Sequence, residues 1–252
     1  GLGDVYKRQV YYKTNTVDYK SERTLLFSIW DSFFKQSIDR FPEEKISLHR
    51  ELRGYYFLSS KWYDIYDFIE FCLEYGDARY AEEFTKNANS VLEEEFSGYR
   101  IIAGKVTPIT EIQEIQTVEE ALEINDKISE HIRTALDHLS DKTNPDYRNS
   151  IKESISSVET ICKQIVGNPN TTLGHALNEI EIKGKIKIND NEKEAFYQLY
   201  RWTSGPNGIR HSIMESENLS QEDARFMLIV CSGFINLLRV KADKAGIHLN
   251  DD

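Results

Sequence analysis

Seven positions between Val118 and Leu139 constrain the fold of this chain more than any other feature. Val118, Ala121, Asn125, Ile128, Ile132, Ala135 and Leu139 advance by threes and fours. That rhythm lays side chains along one stripe of an α-helix, whereas a strand would scatter them over both of its faces. Thr117-x-x-Glu120, just ahead of the stripe, has the form of a capping box. The sequence therefore predicts one helix of roughly 22 residues from Thr117, rigidly bridging two domains.

Further stripes follow. Ile151, Ile155, Val158, Cys162 and Ile165 come after Asn144-Pro145-Asp146, read as an N-cap with proline at the first helical position, and end at Gly167. A helix over about 172–182 is expected to bury Leu173, Leu177 and Ile180. Another, over about 191–203, is expected to use Ala195, Phe196, Leu199 and Trp202. The last begins at Ser220, capped with Asp223, and runs to about Lys244 with Met227, Val230, Cys231, Phe234, Leu237 and Leu238 inward. Upstream, helices are expected near 21–36, 44–59, 61–75 and 78–96. Two short β-leaning runs then flank Ala103-Gly104 and predict a small hairpin. Only five prolines interrupt the chain, all at or between segment starts.

The 252 residues suit one large domain or two small ones, and a 40% hydrophobic content is ample for a packed core. No apolar run approaches the ~18 residues of a membrane span, so no membrane partner is expected. Cys72, Cys162 and Cys231 lie far apart without C-x-x-C spacing. They read as buried thiols in a reducing cytoplasm, not as disulfides or zinc ligands. Gly1–Gln9 resembles a translated sequencing adapter, which leaves the natural N-terminus open. Phosphate-loop, dinucleotide-binding, zinc-protease and α/β-hydrolase motifs are absent, so no cofactor and no metal are expected.

Three groups of residues could carry chemistry. Gly205, Pro206 and Gly208 form a turn that presents Arg210 and His211 before the last helix. A guanidinium offers phosphate a bidentate fork and an imidazole moves protons near neutral pH; the alternative is a structural ion pair beside a surface histidine. Arg148 and Glu159 fall ~20° apart on the shoulder of one helix, with Asn149 beside them. They read either as site groups, Glu159 holding Arg210, or as a structural pair. Arg133 and His138 sit ~140° apart on the predicted bridging helix. His131 and His138 share a face there and also read as histidines at the core's edge. The aromatic run Tyr55, Tyr56, Phe57, Trp62, Tyr63, Tyr66, Phe68, Phe71 is interleaved with Asp64, Asp67 and Glu70, which points to core packing over base stacking.

Certain phrases resemble a known family. Trp62-Tyr-Asp-Ile-Tyr-Asp-Phe-Ile-Glu70, Asn89-Ser-Val-Leu-Glu-Glu-Glu-Phe-Ser-Gly-Tyr-Arg100 and Val106-Thr-Pro-Ile-Thr-Glu111 resemble an N-terminal domain, of the fourth type, of AbiJ-type abortive-infection proteins. Pro145–Ile155, Thr172–Leu177, Gly208-Ile-Arg-His211 and Asp223–Ser232 resemble the HEPN-like bundle that follows it. The resemblance implies a dimeric helical bundle and a metal-independent endoribonuclease, with Arg stabilising the scissile phosphate and His assisting proton transfer at the 2′-OH. The class signature spaces Arg and His by about four to six residues. Here only Arg133 and His138 meet it, since His211 directly follows Arg210 and no His follows Arg148 in range.

Residues 1–125 carry 15 basic and 23 acidic residues, and residues 126–252 carry 16 and 19. An RNA binder ordinarily shows a basic footprint. The second half is the less acidic, with a small positive loop at Lys183, Lys185 and Lys187, and the first suits a partner or regulatory role. The expected architecture is mostly α. An N-terminal helical domain over 10–116 carries one small β-hairpin, and a C-terminal antiparallel HEPN-like helical bundle spans 117–248. The expected function is antiphage RNA cleavage by Arg210 and His211 with Arg148, Asn149 and Glu159 in support. Partners would be RNA, a second copy through the bundle and an unidentified partner for the N-terminal domain. The alternative is a catalytically silent module that binds RNA, nucleotide or protein.

Overall fold

The computed structural model describes residues 19–41, 50–54, 61–182, 186–204 and 219–249. Among the described residues the protein is mostly helical, with one two-stranded antiparallel sheet, and the chain divides into two compact units between Thr107 and Pro108.

In the first unit, α1 (Tyr19–Ser28) runs into a π-helical turn at Ile29–Phe33 and a 3₁₀ turn at Ile38–Arg40. The helix expected near 21–36 stops early because the Trp30 indole N–H donates to the Ser37 carbonyl at 2.9 Å, and Lys35 turns the backbone at φ 54°. Of the helix expected near 44–59, residues 50–54 are described and are helical. Next come α2 (Asp64–Tyr75) and α3 (Ala78–Glu94), the latter capped by Asp77, whose carboxylate accepts the Arg79 N–H at 3.0 Å.

The aromatic residues pack as core. Phe68 joins Ile29, Trp30 and Leu52, while Tyr66 and Ile69 turn to Ala88, Leu92, Ile101 and Val106. Helix α2 thus serves two clusters from two of its faces. Strands β1 (Arg100–Ile102) and β2 (Lys105–Thr107) pair as expected, Ile101 opposite Val106. The two-residue turn between them needs positive φ at both positions, met by Ala103 at 50° and Gly104 at 85°. Side chains tie the hairpin to the helices. Asn89 donates to the Ile101 carbonyl at 3.0 Å and accepts its N–H at 2.7 Å, and Glu70 accepts the Val106 N–H at 2.8 Å.

The second unit comprises α4 (Ile112–Leu122), α5 (Asp126–Ser140), α6 (Tyr147–Val166), α7 (Leu173–Ile182), α8 (Asp190–Ser204) and α9 (Gln221–Lys244). Helix α6 is central and packs against α5, α7, α8 and α9. It runs antiparallel to α5. Residue 138 pairs with 146, 135 with 150 and 131 with 153, so one number falls as the other rises. Helices α4 and α9 run parallel instead, Glu114 meeting Arg225 and Thr117 meeting Asn236.

The single bridging helix predicted from Thr117 is two helices. Asn125, at φ −166°, breaks the path and caps α5, its side chain accepting the Ile128 N–H at 3.1 Å. Thr117 is no cap. It lies inside α4 and donates its hydroxyl to the Gln113 carbonyl at 2.7 Å. All seven stripe positions are nevertheless buried. Similarly, α6 is capped by Asp146 rather than Asn144. On α8, Phe196 is buried and stacks on Phe234, centroids 4.1 Å apart, but Ala195 and Trp202 are exposed. On α9, Met227, Cys231, Phe234 and Leu238 are buried, while Val230 and Leu237 are only half-buried. Among the described residues no helix is long and apolar enough to cross a membrane.

Candidate functional site

Arg148 and Asn149 occupy the first turn of α6, and Glu159 lies three turns further on. Eleven residues at 1.5 Å each put Arg148 and Glu159 roughly 16 Å apart along the axis, on one shoulder of the helix but not in one place. Asn149 belongs to the cap. Its backbone N–H donates to Asp146 Oδ1 at 3.0 Å and its side-chain Nδ2 to Oδ2 at 2.6 Å. Glu159 pairs with Lys163 one turn on, at 2.7 Å. Arg210 and His211 lie outside the described residues, as do Lys183 and Lys185. The described residues on either side are Ser204, at the end of α8, and Ser220, which caps α9 in a capping box with Asp223 as predicted.

Arg133 and His138 do not meet either. Arg133 is exposed and its Nε donates to Ser129 Oγ at 3.2 Å, one turn back on α5. His138 is half-buried on another face, and its backbone carbonyl accepts the Asp146 N–H.

The structure adds a pair that the sequence does not single out. His131 on α5 contacts Glu153 on α6, Nδ1 to Oε2 at 2.8 Å, and the histidine side chain remains 36% exposed. The other carboxylate oxygen faces Lys152 at 3.6 Å. Among the described residues the second ring nitrogen of His131 has no hydrogen-bond partner. A carboxylate on Nδ1 orients the ring and leaves Nε2 to give or take a proton. The signal was present in the register. A hairpin of helices that turns at 141–146 sets residue 131 opposite 153, but only once the turn is placed. Glu153 and Glu159, six residues apart on α6, point ~120° from each other, so this pair faces away from Arg148 and Glu159.

The cysteines are unsuited to nucleophilic work. Burial pushes the Cys72 thiol up to about 12, and raises Cys162 and Cys231 as well, so none offers a thiolate near neutral pH. Among the described residues no three His, Cys, Asp or Glu side chains gather as a metal-binding group.

Residues 4–124 match the family model described as AbiJ N-terminal domain 4. The matched stretch runs past the boundary at Thr107 and takes in all of α4. No curated protein and no solved structure matches the chain. Residues 4–124 thus carry AbiJ N-terminal domain 4.

Proposed function

We propose that this protein acts in abortive-infection defence against phage, and that its second unit is a HEPN-like endoribonuclease that works without a metal ion. The match of residues 4–124 to AbiJ N-terminal domain 4 carries the defence reading. The ribonuclease reading rests on the resemblance of the second half to a HEPN-like bundle and on the adjacency of Arg210 and His211. His211 takes the 2′-hydroxyl proton as the 2′-oxygen bonds to phosphorus, and the bond to the 5′-oxygen breaks with that oxygen regaining a proton. Arg210 neutralises charge on the phosphorane oxygens. Arg148 supports from the first turn of α6, which Asn149 holds, while Glu159, three turns on and paired with Lys163, belongs to the helix's own surface.

The test is incubation of the purified protein with total and transfer RNA in EDTA, beside Arg210→Ala and His211→Ala. Cleavage that survives EDTA and is lost at least 100-fold in both variants is expected, roughly the scale of a lost acid–base group. Folded wild type that leaves all RNA intact would sink the reading. Loss in His138→Ala or His131→Ala alone would move the chemistry to α5. A silent binding module is the second reading, favoured by charge: Pro108–Asp252 carries 16 basic against 24 acidic residues, a poor footprint for RNA.

A further inference from the structure

In the first unit two neighbouring segments leave rings at the surface. Phe96 is 95% exposed, and Trp62, just ahead of α2, is 52% exposed. The loop that Phe96 opens is pinned beside Trp62. Ser97 Oγ lies 3.1 Å from the Tyr66 hydroxyl and accepts the Tyr99 N–H at 3.3 Å. The Trp62 ring packs on Tyr63, Tyr66 and Tyr99, with centroids 5.6, 6.0 and 6.1 Å away. Tyr66 is buried beneath this face, and Tyr63 and Tyr99 are half-buried in it.

The ring of Phe96 does little for the fold. Phe96 follows the end of α3 at φ 54°, a left-handed position that glycine takes at little cost and a bulky side chain at more. Its N–H donates to the Glu93 carbonyl at 3.0 Å and the Ser97 N–H donates to the Leu92 carbonyl at 2.8 Å, which is backbone closure that needs no ring. A large apolar side chain held out from a strained backbone has its use outside the chain.

Charge selects the occupant. Glu93, Glu94 and Glu95 are exposed and lead directly into Phe96, and the last turn of α3 holds no basic residue. They stand at the negative end of the helix, where carboxylates are unfavourable and a cation is favoured. Asp64 and Asp67 lie in the first turn of α2, next to Trp62. Of the bases on this face, Arg100 donates to the Ser97 and Tyr99 carbonyls, both at 2.8 Å. Lys61 Nζ lies over the Tyr63 ring, 5.4 Å from its centroid. That lysine displays within the chain the pairing that the other rings invite, a cation on an aromatic face. The same rings could stack bases, but phosphates would meet these carboxylates, and so would an anionic lipid surface.

We propose that the face formed by Trp62 and Phe96 docks a basic segment of a partner protein, whose arginine or lysine meets the rings and carboxylates while an apolar residue covers Phe96. This gives the partner expected for the first unit a place and a chemistry. It stands apart from the ribonuclease reading, which concerns the second unit.

The probe is a short labelled peptide of alternating arginine and leucine, followed by fluorescence anisotropy on the full chain. Its copy with glutamate for arginine is the control. The wild type binds the first and not the second, and added salt weakens binding. Phe96→Gly leaves the charge unchanged and weakens binding about ten-fold or more, the scale of an aromatic anchor. The same variant melts a few degrees higher, because glycine relieves the left-handed backbone. Glu93→Lys with Glu95→Lys also weakens binding. Arg210→Ala and His211→Ala leave it unchanged, so either reading can fail without the other. A wild type that binds neither peptide, or binding that Phe96→Gly leaves intact, overturns the proposal. So does a lower melting point for Phe96→Gly, which would return the ring to the fold. Oligouridylate or phosphatidylglycerol vesicles that bind the wild type and lose binding with Phe96→Gly would overturn it in favour of a nucleic acid or a membrane.

Discussion

In the first unit, rings carry the core. Phe33 meets Phe68 and Phe71 at 5.3 and 5.2 Å, Tyr66 meets Tyr99 at 5.0 Å, and Trp30 lies edge-on to Phe41. In the second unit the core is aliphatic, and Ile128, Ile132, Ile151, Ile155, Ile161 and Ile165 are fully enclosed along α5 and α6. The polar chemistry differs as well. The first unit joins helices to hairpin through part-buried side-chain bonds from Asn89 and Glu70. The serines of α6 mostly bond their own helix, Ser154 to Ser150 and Ser157 to Ser154, with Ser150 alone reaching across to the Ala135 carbonyl. Short aromatic-rich elements bury too little aliphatic area to hold their register, so specific hydrogen bonds supply it. Long helices fix theirs by interdigitation.

The sharpest break of this contrast is Ile155→Ala. Ile155 is 0% exposed on the central helix, and its truncation leaves a cavity between packed helices. A loss of about 3 kcal/mol is expected, in line with large-to-small changes in close-packed cores. Urea unfolding followed by hydrogen exchange should show faster exchange across the second unit's amides. The reading of α6 as the organising element fails if the cost stays below about 1 kcal/mol.

Asn89→Ala tests the other half of the comparison. It removes both bonds to Ile101 and leaves a strand N–H and carbonyl without those partners in a part-buried setting. About 1–3 kcal/mol should be lost, and the hairpin amides should exchange first. An exchange pattern unchanged at Ile101 and Val106 would show that ring packing alone sets the hairpin's place.

How far these differences could be read in advance depends on the kind of signal. The stripe from Val118 to Leu139 is buried at every position, because burial follows periodicity and the rhythm persists across the Asn125 break. The break itself was hidden. Thr117-x-x-Glu120 has the form of a cap, and only the upstream Ile112 and Ile115, already helical, show that it is not one. The hairpin was legible because Ala103-Gly104 between β-leaning runs is local chemistry. The site was less so. Sequence locates Arg148 and Glu159 on one shoulder of a helix but says little of what faces them, and the His131–Glu153 contact spans two helices. The charge contrast also depends on where the chain is cut. With the boundary at Thr107, Gly1–Thr107 holds 15 basic and 18 acidic residues, and the glutamates around α4 make the second unit the more acidic.

The smallest expected effect concerns the turn between α5 and α6. There the Asp141 carboxylate accepts the Asn144 and Thr143 backbone N–H groups at 2.9 and 2.8 Å and the Thr143 hydroxyl at 2.8 Å. These bonds, the Asn144 N–H first, hold its carboxyl below the ordinary aspartate value. A group lowered in the folded state stabilises fully above its unfolded value, near 3.9, and that contribution disappears as pH falls through the lowered one. Melting of the wild type should therefore decline slightly more between pH 5 and pH 2 than melting of Asp141→Asn, with the Thr143 and Asn144 amides shifting over that range. Asp141 is solvent-exposed, so the difference should be far smaller than that of Ile155→Ala. A larger one would mean that the α5–α6 pairing depends on its turn as the hairpin depends on Asn89, and the contrast between the units would then be one of degree.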